Sequence, residues 1–147
     1  MTPNDADSAT PRWDPDAVLL PTLRTLRESV PLTGSLVATG DGLLVAHNLP
    51  PHLEPATMAA LAATLVSLSV QVAGTAHGGE FNDVVVHGAG GCVALYRAGG
   101  GSLTVLAAPD VNVGRLHWES RPAAAAIADL LASLPAWPEH AQAYPTP

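Results

Sequence analysis

The stretch from Pro55 to Ala76, P-A-T-M-A-A-L-A-A-T-L-V-S-L-S-V-Q-V-A-G-T-A, contains no charged residue. Met58, Leu61, Leu65, Leu68 and Val72 recur at steps of three and four, so they line one side of an α-helix. Ala59, Ala62, Ala63, Val66, Val70 and Ala73 fill most of the remaining circumference. A helix on the surface of a globular domain keeps a charged outer face. This one has none, so water must be kept from more than one of its sides. The chain's own sheet can cover one side. The other calls for a partner, most simply a second copy of the same helix. A bilayer is the competing solvent, since about 20 apolar residues span one. Thr57, Thr64, Ser67, Ser69 and Gln71 interrupt the run, however, and Glu54 and Glu80 flank it without a nearby Lys or Arg. The expectation is therefore a protein interface and no membrane span.

The rest of the composition narrows the function classes. A chain of 147 residues suits one domain with one core. It has no lysine; its cations are Arg12, Arg24, Arg27, Arg97, Arg115 and Arg121, and the formal net charge is -7. No basic stripe exists to neutralise phosphates, which disfavours nucleic acid and anionic lipid as partners. Cys92 is alone and no secretory signal opens the chain, so a reducing cytoplasm is expected. The richness in Ala, Gly and Pro without Lys looks like a bacterial genome of high GC content.

Along the chain, residues 1–13 hold little to bury and are expected to form a disordered tail. Asp14 followed by Pro15 is a helix start, and Val18 or Leu19, then Leu23, Leu26 and Val30 follow at helical spacing. Pro21 removes a donor and clashes one turn back, so either the helix kinks or its regular part begins near Leu20. Two short apolar runs, 34–39 and 43–47, flank Gly40-Asp41-Gly42, the signature of a hairpin. A proline-containing loop then leads to Pro55 and the central helix. Three further strands are expected at 82–87, 92–97 and 102–107, joined by glycine-rich connectors into an antiparallel meander. These runs are apolar on both faces, which predicts helices on both sides of the sheet. Asp110 to Asn112 caps a last helix carrying Val113, Leu116, Ile127, Leu130, Leu131 and Leu134 on one face, with a kink or restart at Pro122. Residues 135–147 form a Pro-rich tail. The expected fold is α+β, in the order α-β-β-α-β-β-β-α: a five-stranded antiparallel sheet with helices on both faces, the domain spanning 14–134.

No catalytic constellation is visible. No Gly-Lys-Ser/Thr follows any glycine run, so none is a phosphate cradle, and Gly88-Ala89-Gly90-Gly91 joins two strands instead of opening a helix. The six histidines, His47, His52, His77, His87, His117 and His140, show no metal-ligand spacing, although His87 and Cys92 could face each other across a hairpin. Cys92 begins an apolar strand, which suits a buried, inert thiol. Asp41, Glu54, Glu80 and Asp83 sit in turns or caps and form no acid/base pair. No catalytic residue, cofactor or metal is therefore expected, and the protein is read as a non-enzyme.

The element order, with G-S-L-V-A-T-G-D-G-L-L-V-A-H at 34–47 and L-T-V-L-A-A-P-D-V-N-V-G-R-L at 103–116, resembles the roadblock (dynein light-chain) family, of roadblock/profilin-like fold. The likeness covers about residues 14 to 134; Pro21 and Pro122 depart from its usual uninterrupted helices. It implies a homodimer, or a heterodimer with a roadblock paralogue, in which the middle helices pack together and the third strands pair edge to edge. Met58, Leu61, Ala62, Leu65 and Leu68 would then lie in the interface, with Val84, Val85 and Val86 on the shared strands. It also implies a regulatory or scaffolding module for a small Ras-like GTPase, often encoded beside it in bacteria. Arg97 and Arg115 are candidates, by residue type alone, for an arginine supplied to such a partner. Two alternatives stay open: a small-ligand sensor with a pocket lined by Tyr96, His47 and Trp118, and an enzyme using Cys92 with a histidine.

Overall fold

A computed structural model describes residues 14–133. The elements are α1 (Pro15–Ser29), β1 (Leu32–Thr39), β2 (Leu44–Asn48), α2 (Pro55–His77), β3 (Asp83–Gly88), β4 (Gly91–Ala98), β5 (Gly101–Ala107) and α3 (Val113–Ala132). The expected order and the α+β class hold. Both expected tails lie outside the described residues, as does Leu134 of the expected last helix.

The five strands form one antiparallel sheet in the order β2-β1-β5-β4-β3. Two local motifs, the β1–β2 hairpin and the β3–β4–β5 meander, are fused where β1 pairs with β5. Consecutive side chains on a strand point to opposite faces. Val37, Cys92, Ala94, Tyr96, Leu103 and Val105 therefore share one face, where they pack with Leu19, Leu23 and Leu26 of α1 and with Leu116, Ile127 and Leu131 of α3. Leu36 and Ala38 point the other way and meet Ala59 and Met58 of α2. Strands buried on both faces cannot show a polar/apolar alternation, which is why these runs read as continuously apolar.

Neither proline breaks its helix. α1 runs through Pro21 and α3 through Pro122. Both prolines are exposed, so the carbonyl one turn back that loses its N–H partner sits on the wet side of the helix, where water replaces the bond. The expected restarts near Leu20 and at Pro122 are corrected on that ground.

Arginines fasten the outer layer. Arg27 Nη1 donates to Asn48 Oδ1 at 3.2 Å, tying α1 to β2. Arg115 Nη2 donates to the Ser29 carbonyl at 3.1 Å, tying α3 to the end of α1. Arg121 reaches Asp83 Oδ2 through Nη2 at 2.9 Å and through Nε at 3.0 Å, tying α3 to β3. These exposed contacts set register more than stability.

Two glycines meet different demands, one a left-handed turn and the other a close approach. Gly42, at φ 89°, turns the β1–β2 hairpin, and a Cβ there would come within 3.4 Å of Ala60 and Ala63 of α2. The hairpin tip thus braces the middle helix. At Gly101 a Cβ would overlap the Ala38 carbonyl oxygen, so the β1–β5 junction requires a residue without a side chain.

Candidate functional site

α2 is built to start and stop cleanly. Glu54 is its N-cap, its carboxylate accepting from Ala56 N at 3.0 Å, and Pro55 occupies the first turn. Gly78 ends it in the left-handed conformation, donating to the Gly74 carbonyl. Between these caps the helix spends little of its surface on its own chain: only Ala59 and Ala62 are fully buried. Small side chains there let the helix lie close to Leu36 and Ala38.

The opposite side is apolar and open. Leu61 is 59% exposed, Leu68 54% and Val72 67%, while Met58 and Leu65 are half-buried. Their steps of three and four form a seam of the kind that packs helix against helix. Residues beside the seam, Ala60, Thr64, Ser67 and Gln71, are small or neutral, so nothing charged obstructs a close approach. By length and composition the same helix would also suffice to cross a bilayer. Its burial of Ala59 and Ala62 against the sheet commits one side to the domain.

The sheet presents apolar residues on the same side. Val84 pairs with Leu95 and Val86 with Val93, and these four point to the α2 face. Val86 is 44% exposed and Val84 half-buried. β3 pairs only with β4 among the described residues, so its outer edge carries open N–H and C=O groups. α2 and β3 thus present an apolar helix face and a bare strand edge, with Val84 and Val86 on the same side of the sheet as α2.

The eight candidate residues therefore separate. Leu61, Leu65, Leu68, Val84 and Val86 lie on this open face, while half-buried Met58 packs against the cluster of Leu36, Ala38 and Ala59. Ala62 is buried against the sheet of its own chain, and the Val85 side chain packs into the core under α1 and α3. Val85 can reach a partner only through its backbone. Val72 belongs to the seam by exposure and spacing, although the candidate set omits it; the step of four from Leu68 was its signal in the sequence.

The proposed ligand pocket does not assemble. Tyr96 points under α3, where its hydroxyl lies 2.8 Å from His117 Nδ1. His47 pairs with Leu36 and so faces α2, and Trp118 projects from α3 into solvent. The three residues occupy different sides of the molecule. The Cys92 thiol fares no better as a nucleophile. It sits opposite His87 in the β3–β4 hairpin, as its position suggested, but it is buried in the core and burial pushes its pKa up. Among the described residues no group of three or more His, Cys, Asp or Glu side chains is placed to hold a metal ion.

Burial also pushes the Tyr96 phenol up to about 12, from an ordinary value of 10. The unfolded chain ionises first, so the stability contributed by the neutral phenol is complete below pH 10 and is lost as pH rises from 10 towards about 12. Thermal unfolding followed by circular dichroism should show this fall in Tm. Tyr96→Phe should flatten it, and an identical fall in that variant would assign the titration elsewhere.

Known proteins place this architecture. The Roadblock/LC7 domain model matches residues 22–107. Two uncharacterized proteins of Methanocaldococcus jannaschii are each 29% identical: MJ1340 over 76% of this chain and 95% of its own length, and MJ0310 over 74% and 92%. A Roadblock/LC7 domain from Streptomyces avermitilis superposes with TM-score 0.69 at 28% identity, covering 76% of this chain and 96% of that one. MglB from Myxococcus xanthus superposes with TM-score 0.75 at 15% identity, over 85% and 96%, which is a likeness of fold. With the family model matched over 22–107, more than half of its length, the chain belongs to the Roadblock/LC7 domain family.

Proposed function

We propose that this protein is a non-enzymatic, dimeric module of the cytoplasm that binds and regulates a small Ras-like GTPase. The observation that carries this reading is the uncharged seam on α2, on the side of the sheet where the open-edged β3 presents Val84 and Val86. A patch of that kind on a domain of this size marks an interaction surface. Two copies related by a two-fold axis would cover both seams with one self-complementary contact, leaving the α1/α3 side free. A roadblock paralogue carrying the same seam is the other occupant. The likeness in fold to MglB, solved once in a tetrameric arrangement and once as a gliding protein of Thermus thermophilus, supports an assembling role. Of the two arginines considered for supply to a GTPase, Arg115 is held by the Ser29 carbonyl, while no hydrogen bond or ion pair among the described residues holds the Arg97 guanidinium.

The test is direct. The purified dimer is titrated against each Ras-like GTPase of the same organism, loaded with GDP or with a non-hydrolysable GTP analogue, and GTP hydrolysis is followed with and without it. Nucleotide-dependent binding to at least one GTPase is expected. A stable dimer with no affinity for any of them in either state would overturn the GTPase assignment and leave the dimer standing.

A further inference from the structure

We propose that a hollow between the C-terminal half of α2 and the β4–β5 turn binds a small oxyanion of the phosphate class. The hollow measures about 140 Å³ and is bounded by Ser67, Val66 and Val70 of α2, Arg97 of β4 and Ser102 of β5. By the same measure roughly 10–15 Å³ holds one water, so the space has room for a tetrahedral anion.

Register builds the site. The turn Gly99-Gly100 makes Arg97 and Ser102 direct cross-strand partners. Side chains so paired point to the same face with Cβ atoms about 4.5–5.5 Å apart. The guanidinium and the hydroxyl are therefore neighbours beneath α2, and Ser67 closes the space from the helix side. Gly99, Gly100 and Gly101 line the remaining wall, where backbone approaches without side chains to shield it.

Two observations point to a missing partner. Ser102 is 3% exposed and its Oγ has no hydrogen-bond partner among the described residues, a cost that a bound acceptor would remove. The Arg97 guanidinium is exposed and makes no hydrogen bond or ion pair among the described residues, unlike Arg27, Arg115 and Arg121. Charge agrees. The chain carries -7 overall, yet no Asp or Glu lines this hollow. Arginine is the residue suited to a planar, forked grip on such an anion. The proposal stands or falls independently of the GTPase reading.

The full chain is titrated at constant ionic strength with inorganic phosphate and separately with O-phosphoserine, following Tm and the backbone amide resonances of Gly99 to Ser102. Saturable shifts localised to those amides are expected with phosphate. A response to inorganic phosphate alone identifies a free anion, and an equal response to phosphoserine identifies a phosphomonoester group as the ligand. Arg97→Gln should keep the wild-type Tm in chloride, because the side chain is exposed, and should raise Kd at least about tenfold, the scale of one charge-assisted hydrogen bond. Arg24→Gln, on α1, should leave Kd unchanged. Titration of Arg97→Gln indistinguishable from wild type overturns the proposal, as does the absence of a saturable shift with either compound in the wild-type protein.

Discussion

Replacing Leu61 and Leu68 together by glutamate is expected to leave a folded monomer, where the unmodified protein is expected to sediment as a dimer. Both side chains are more than half exposed in the protomer, so the substitution removes little from the protomer's own core. In a two-fold assembly each change counts twice. Burying a leucine side chain contributes about 1.5–3 kcal/mol, so four leucines supply most of what a compact interface needs. Four carboxylates brought into the same space would add repulsion and desolvation. The dimer dissociation constant should rise by at least about a thousandfold, since every 1.4 kcal/mol is tenfold. Sedimentation velocity reads the assembly and circular dichroism reads the fold. A variant that stays dimeric would show that the seam is not the contact, and one that unfolds would show that α2 depends on it for more than assembly.

The opposite outcome is expected inside the core. Leu23 of α1 is fully buried, packed with the face of the sheet that carries Val37, Leu103 and Val105. Leu23→Ala removes its transfer energy and leaves a cavity, at a cost of about 2–5 kcal/mol. Against a total stability of about 5–15 kcal/mol this is a large fraction, and the urea midpoint should fall with the slope unchanged. Leu68→Ala, made in a Leu61→Glu background that holds the protein monomeric, should cost under about 1 kcal/mol, as an exposed site does. Equal costs at the two positions would mean that α2 and α1 exchange roles, with the α2 seam packed and the α1 stripe open.

Much of this was legible in the chain. The α2 seam is visible because its period is that of a helix and because no charge interrupts it. The strands are visible because Gly40-Asp41-Gly42, Gly88–Gly91 and Ala98–Gly101 punctuate them, and short turns fix the pairing of what they join. The two prolines misled for a physical reason. Their cost depends on whether the freed carbonyl meets water or protein, and that depends on which side of the helix faces the core. Ala62 and Val85 illustrate the same limit. Alanine tolerates any side of a helix, and Val84-Val85-Val86 gives no alternation from which to choose a face.

Local pattern thus determined the helices, the strands, the hairpin and the meander, and it determined that one helix carries more apolar surface than a single domain can cover. Only the tertiary structure decided that β1 joins β5, that β3 is left at an edge with Val84 and Val86 on the α2 side, and that Arg97 and Ser102 meet beneath α2. Pairing across the β1–β5 junction links residues distant in sequence, with no turn between them to set register. That choice rests on the close approach at Gly101 and on how both sheet faces bury their side chains at once.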